Sequence, residues 1–343
     1  MKKNILIVTE ANARVASGHL LECISCYHEL RANGVAAELM INADMPSGLK
    51  ARMPDTYYEY ETDIQREAVR LVEVVREKNI DLILFNLREI ANSFLQEIRR
   101  ALEDTVTVIV IDEFGRRKLE ADIIINPMID SYYWEYDTAG KVYCGAQYLI
   151  LPENLKSYHE KEKEIRDKVE TITVSMGGVD APGTTVKLAK WLGELSDEIQ
   201  INLVLGGGFA YTEQLNQTVN GKRNIMVCQN ISYLYDLFMQ SDIAICAGGN
   251  TLHELAALGV PALVIPSMPH EQRNGQAFER QGFSLCCEEA RQITKETLTA
   301  HLRQLSDSSV RRDMQECGKR IADGRGDERV CRILLKETRQ WNG

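Results

Sequence analysis

Hydrophobic residues in this chain come in short unbroken runs with amphipathic stretches between them. Asn4 to Val8, Val35 to Ile41, Ile80 to Phe85, Thr105 to Ile111 and Asp122 to Ile125 have the character of strands. The continuous apolar run in the first suits burial on both faces. Helical recurrence predicts helices from Gly18-His19 to about Asn33, from about Asp63 to Lys78 and from Asn92 to Leu102, with Gly34 stopping the first. Met45 to Tyr60 reads as irregular because of Pro46, Gly48 and Pro54. Alternating strands and helices predict a parallel sheet covered on both faces.

The pattern breaks after Pro152, where Lys156 to Lys168 is densely charged, and then restarts. Strands are expected at Thr171 to Ser175, Gln200 to Leu205, Ile225 to Cys228, Ile243 to Cys246, Val260 to Ile265 and Ser284 to Cys287. Helices are expected at Thr184 to Leu195, Ser232 to Gln240, Thr251 to Leu258 and Asn274 to Gln281, with more from Lys295 onward. The predicted fold class is α/β, with two doubly wound Rossmann-like domains facing a central cleft. Residues 1–153 form the first domain, 154–169 a linker and 170–325 the second. A last helical segment, 326–343, is expected to pack back toward the first domain.

Bulk properties narrow the partners. The chain has 343 residues and a formal net charge of −10, which argues against a general nucleic-acid surface and an anionic membrane surface. No apolar run approaches the ~20 residues of a membrane-spanning helix. Nine cysteines without a signal-peptide pattern lead to the expectation of a reducing cytoplasm. No His/Cys/carboxylate set has metal-ligand spacing, so no metal is expected. Cys23-Ile-Ser-Cys26 lies within a predicted helix and reads as two core thiols.

Three glycine-rich turns follow strands: Ser17-Gly18-His19, Met176-Gly177-Gly178 and Gly248-Gly249-Asn250. None carries the full dinucleotide fingerprint and there is no P-loop, so no cofactor is expected. A glycine turn entering a helix can hold phosphate through free amides and the positive end of the helix dipole. Two such turns on the carboxyl edge of one sheet strengthen that reading. Glu254, three residues after Thr251, has capping-box spacing, and could equally accept from ribose hydroxyls. His19 opens the first long helix, where the dipole disfavours an imidazolium; it is either a neutral base or a histidine bonded to a loop carbonyl. His253 and His270 flank the proposed nucleotide site. Asp112-Glu113 ends a strand and serves as acid or base, or only as a cap. Tyr132, Tyr133, Trp134 and Tyr136 read as a sugar-stacking platform, as the lining of an interdomain hinge, or as packing.

Together these segments resemble a known family. Ala247 to Pro261, followed by Gln272-Arg-Asn274, is similar to the nucleotide-binding half of GT-B proteins. The nearest likeness is to the UDP-sugar hydrolases of pseudaminic acid biosynthesis, and a more distant one is to the UDP-GlcNAc transferase that completes lipid II. Gly18-His19, Asp112-Glu113, Gly145-Ala-Gln-Tyr148 and Met176-Gly-Gly-Val-Asp180 resemble the hydrolase family's successive motifs. The resemblance implies that His19 is catalytic, that Gly18 belongs to its motif, and that Gly177, Gly178, Gly249, Asn250 and Thr251 hold the diphosphate. It implies that Glu254 takes the ribose and that Gln272 and Asn274 lie near diphosphate or sugar, with Asp112 and Glu113 on the sugar side. Departures cluster in the first half: Glu22 replaces an Arg, Val8-Thr-Glu-Ala11 an Arg-x-Asp, Asn86-Leu-Arg88 an Asp-His-Tyr, and Leu151-Pro-Glu-Asn154 lacks an Arg.

The expected function is therefore metal-independent hydrolysis of a UDP-amino sugar, releasing UDP, in surface-polysaccharide or nonulosonic acid synthesis. The alternative is a GT-B glycosyltransferase with the same donor and a glycan or lipid-linked acceptor. A second alternative is a nucleotide-sugar-binding protein without catalysis.

Overall fold

The computed structural model describes residues 3–12, 18–113, 115, 118–131, 134–229, 231 and 234–336. The chain divides into two compact units, residues 1–153 with 324–343, and residues 154–323.

The first unit contains β1 (Asn4–Thr9), α1 (Gly18–Ala32), β2 (Ala36–Asn42), β3 (Tyr58–Tyr60), α2 (Ala68–Glu77), β4 (Leu82–Asn86), α3 (Asn92–Ala101), β5 (Thr107–Ile111), β6 (Ile123–Asn126) and β7 (Lys141–Cys144). Among the described residues its sheet has seven strands in the order β3-β2-β1-β4-β5-β6-β7, all parallel. β1 is central: Ile5 lies opposite Ala37 on one side and Leu82 on the other. Its successive side chains alternate faces, so Leu6 and Val8 enter one core with Leu71 and Phe94. Ile5 and Ile7 enter a second core with Leu20 of α1 and Val330 and Leu334 of the C-terminal helix Gly326–Lys336. β3 and β7 lie outside the predicted strands. Both are short edge strands with mixed residues and partial exposure, which removes the apolar run that marks a central strand.

The second unit begins with α4 (Leu155–His159) and contains β8 (Thr171–Ser175), α5 (Thr184–Leu192), β9 (Gln200–Leu205), α6 (Thr212–Val219), β10 (Ile225–Gln229), α7 (Leu234–Gln240) and β11 (Ile243–Cys246). It continues with α8 (Asn250–Leu258), β12 (Ala262–Val264), α9 (Pro269–Arg280), β13 (Ser284–Cys286), α10 (Lys295–Leu305) and α11 (Ser308–Ile321). The strand order β10-β9-β8-β11-β12-β13 is that of a doubly wound Rossmann sheet, and its order reverses between β8 and β11. α9 starts at Pro269, five residues before the predicted start. Proline suits the first helical position, and the Glu271 carboxylate accepts from the amides of Ser267 (2.8 Å) and Met268 (3.0 Å).

The stretch expected as a linker is instead bound to the second unit. Asp242, buried just before β11, accepts at Oδ2 from the amides of Glu170 (2.8 Å) and Thr171 (2.9 Å) and from Arg166 (3.0 Å). Arg311, fully buried on α11, lies 3.8 Å from Asp242 Oδ1 and donates to the carbonyls of Arg166 (2.8 Å) and Asp167 (3.2 Å). Lys163 Nζ donates to the carbonyls of Met239 (2.9 Å) and Ser241 (2.6 Å). The charges of this segment are thus anchors, which composition alone cannot distinguish from a solvated connector. Removing one partner of a buried charged network strands the others. Asp242→Ala should lower the stability of the second unit by ~3–5 kcal/mol in denaturant unfolding. A loss below ~1 kcal/mol would show that the segment is held by other contacts.

Candidate functional site

Three loops meet the carboxyl edge of the second sheet. The turns after β8 and β9 lie against each other: the Gly208 amide donates to the Gly178 carbonyl at 2.8 Å. A Cβ at Gly206 would come within 2.4 Å of the Gly177 and Gly178 carbonyl oxygens, so only glycine permits that approach. Gly177 and Gly178 are exposed and face open space.

The two helix amino termini at this edge differ. At α5, Asp180 turns its carboxylate onto the amides of Thr184 (2.9 Å) and Thr185 (2.8 Å), so the positive end of that helix already has its anion. α8 has no acid in its first turn, and its N-cap residue offers no side chain. Its N-cap is Gly249, its first residue is Asn250, and Gly249 faces open space. The turn into α8 is held from beneath. Asn274 Nδ2 donates to the Gly248 carbonyl at 2.6 Å and lies 3.2 Å from His253 Nε2. Gly248 has φ +101°, and a Cβ there would lie 2.9 Å from the Glu271 carbonyl oxygen and from Val264 Cγ1.

The capping box expected between Thr251 and Glu254 does not form. α8 starts one residue earlier, which moves Glu254 out of capping reach. The half-buried Glu254 instead accepts at Oε1 from the Tyr235 hydroxyl of α7 at 2.9 Å. Burial raises its carboxyl, and the phenol's hydrogen bond pulls the other way. Gln272 is half-buried on α9 with Nε2 3.8 Å from Cys286 Sγ, and Asn274 is buried. His270 lies in the first turn of α9, exposed, where a loop was expected. His253 is enclosed beneath the turn, with Phe278 edge-on at 4.8 Å between centroids, and burial pushes it down to about 4. It is therefore a neutral packing residue. Tyr235 had no sequence signal, because it lies 19 residues from its partner on another helix. Asp180 had one: it precedes by four residues the amide it caps.

The carboxyl edge of the first sheet gathers a different chemistry. Gly18 and His19 open α1, and among the described residues the enclosed His19 Nδ1 has no hydrogen-bond partner. Glu22, one turn on, is buried and accepts from Asn86 Nδ2 at the end of β4 at 2.8 Å. Glu10 Oε1 accepts from the Arg88 amide at 2.6 Å, and Asp112 Oδ2 from the Gly115 amide at 3.0 Å. Asp112 is thus engaged as a turn cap. Glu113 is half-buried, and its carboxyl is pushed up to about 7 by burial and by Glu22, opposed by His19. Glu22 and Asn86, two departures from the resembled family, are therefore bonded to each other. Tyr132 and Tyr133 lie outside the described residues. Trp134 packs where a Gly115 Cβ would be, and Tyr136 donates to the Ser131 carbonyl at 3.2 Å. Cys23 and Cys26 are buried, free thiols.

Residues 171–324 match the model of the glycosyltransferase family 28 C-terminal domain. Over 270 residues, covering 77% of this chain and 79% of that protein, the chain is 24% identical to the spore coat polysaccharide biosynthesis protein SpsG of Bacillus subtilis. It is 24% identical over 184 residues, 50% of this chain, to the UDP-N-acetylglucosamine–N-acetylmuramyl-(pentapeptide) pyrophosphoryl-undecaprenol N-acetylglucosamine transferase of Limosilactobacillus reuteri, and spans about half (49%) of that relative's length. The fold matches Acinetobacter baumannii MurG with a TM-score of 0.72 at 16% identity, covering 97% of this chain and 99% of that one. The chain therefore has the two-domain GT-B α/β fold and is an enzyme of GT-B type, related to MurG-like and SpsG-like proteins. The expectation of a UDP-releasing hydrolase is overturned. The family model over the second unit is a glycosyltransferase model, and relatives such as the Limosilactobacillus reuteri protein are named as sugar transferases. Among the described residues no helix is long and apolar enough to cross a membrane.

The lowered His253 has a measurable consequence. Unfolded, the imidazole takes a proton near pH 6.5; folded, it resists until about 4. The unfolded chain thus binds the extra proton between these values, and stability falls as pH drops through that window. The contribution is up to ~3 kcal/mol. His253→Gln should flatten this part of the stability–pH curve of the second unit. An unchanged slope in that variant would assign the acid sensitivity to other groups.

Proposed function

We propose that the chain transfers a sugar, in particular an amino sugar, from a UDP donor to a hydroxyl of a glycan acceptor, free or lipid-linked, in surface-polysaccharide assembly. The observation that carries this reading is the glycine turn into α8, where Gly249 faces open space and the first turn holds no acid, beside an α5 whose terminus Asp180 already fills. Backbone amides of Gly249, Asn250 and Thr251, with the turn at Gly177 and Gly178, supply the diphosphate site that a chain of net charge −10 cannot supply by bulk charge. Glu254 takes the ribose hydroxyls. Gln272 lies toward the diphosphate or sugar, and Asn274 acts through the Gly248 turn.

The reaction is a displacement at the anomeric carbon. The acceptor oxygen forms its bond to that carbon as the bond to the β-phosphate oxygen breaks, and UDP leaves with the electron pair. The acceptor proton passes to His19, on Nε2 because Nδ1 is enclosed. Charge developing on the departing diphosphate is met by the α8 amides and dipole, which are already oriented. Gly18 lets the chain enter α1 beside His19. Asp112 shapes the adjoining turn, and Glu113, titrating near 7 beside His19, helps set the charge of that edge.

Two measurements test this. With a panel of UDP-sugars, UDP release should depend on added glycan acceptor, and equal release without acceptor would sink the transfer reading. His19→Ala should lower kcat by ~100-fold or more while UDP affinity stays within about twofold. Undiminished turnover would remove His19 from the proton-transfer role.

A further inference from the structure

We infer that Tyr235 is a positioning residue for nucleotide recognition: it holds one oxygen of Glu254 so that the carboxylate is presented to the donor's ribose in a single orientation. The inference rests on the ribose role proposed for Glu254 and extends it to a residue on another helix.

A glutamate side chain has three rotatable bonds, and holding it still costs rotamer entropy at the moment of binding. Where that cost has already been met in the folded protein, the ligand gains the difference. Glu254 meets this condition. Its Oε1 accepts from the Tyr235 hydroxyl at 2.9 Å, which leaves Oε2 and the second lone pair of Oε1 for further donors. A ribose supplies such donors as two adjacent hydroxyls.

The tyrosine is itself fixed. It is buried on α7, and its ring meets that of Tyr158 edge-on with centroids 5.5 Å apart. Tyr158 on α4 donates its hydroxyl to Asp236 Oδ1 at 2.8 Å and carries Lys161 Nζ over its ring at 3.8 Å. The next residue, His159, has Nδ1 2.8 Å from the Ala257 carbonyl in the last turn of α8. α4 therefore grips both helices whose side chains meet in the Tyr235–Glu254 bond. Burial and the neighbouring carboxylate raise the phenol well above its ordinary range, so it remains a donor throughout working pH.

The test compares two ligands within each protein, UDP and 2′,3′-dideoxy-UDP, by calorimetric titration. The wild-type chain should prefer UDP by on the order of tenfold to a hundredfold, the usual worth of hydrogen bonds to a charged group. Glu254→Gln should lose most of that preference. Tyr235→Phe keeps the ring packing and removes only the donor. It should weaken UDP by about threefold to tenfold and leave 2′,3′-dideoxy-UDP within about twofold. The readout is a ratio, so it does not depend on the folded fraction of the variant. Absence of any preference in the wild-type chain would remove the ribose role of Glu254, and the inference with it. If Glu254→Gln loses the preference but Tyr235→Phe keeps it whole, or weakens both ligands alike, the ribose role stands and the positioning role is overturned.

Discussion

The second unit's site depends on one hydrogen bond, from Asn274 Nδ2 to the Gly248 carbonyl. It ties α9 to the turn between β11 and α8, and so fixes where the amino terminus of α8 points. The turn itself requires a positive φ and a close approach to the Glu271 carbonyl, which only a glycine tolerates. His253 and Phe278 fill the space beneath, so the turn cannot sink into the core. Everything assigned to the donor follows from this arrangement: the direction of the amides, the dipole behind them, and Glu254 one turn further along the same helix. The first turn of α8 brings no carboxylate of its own, whereas Asp180 caps the neighbouring α5.

The first unit uses the same architecture differently. Its strand ends carry Asn86, Asp112 and Glu113, and α1 carries His19 and Glu22; Asn86 donates to Glu22, and Asp112 accepts from the Gly115 amide. The edge is acidic, where the second unit offers amides. Such an edge suits hydroxyl-bearing and proton-exchanging chemistry better than phosphate. Among the departures, Glu22 is bonded to Asn86 and Glu10 to the Arg88 amide.

The correction from hydrolysis to transfer has a physical basis. A donor half that binds UDP and a histidine that accepts a proton serve water and an acceptor hydroxyl alike. The nucleophile is chosen by what else the site admits and excludes, and no short motif encodes that. A histidine at a helix start, as at Gly18-His19, can take a proton from water or from a sugar hydroxyl, so its presence could not decide between them. The glycosyltransferase family model over residues 171–324 supplied the discrimination.

Much of the fold was legible because central parallel strands are apolar on both faces and their boundaries are punctuated by glycine. β8, β9 and β11 lie where their apolar-rich runs predict them. The short edges β3 and β7 were not legible, since an edge strand need not be apolar. The candidate donor residues were legible as a set, because the glycine turns and Glu254 lie within local stretches of sequence. Their partners were not. The Asn274–Gly248, Tyr235–Glu254 and Glu22–Asn86 bonds join residues 26, 19 and 64 positions apart, and no periodicity relates such pairs. The role of residues 154–169 was invisible for the same reason: a charged segment looks the same whether it faces water or a buried Asp242 and Arg311. The sequence by itself determined the strand–helix alternation and the turns where phosphate chemistry is possible, since these depend on short-range sterics and burial. Only the tertiary structure decided how the turn into α8 is held and which carboxylate is bonded to which donor, since both depend on groups brought together from distant parts of the chain.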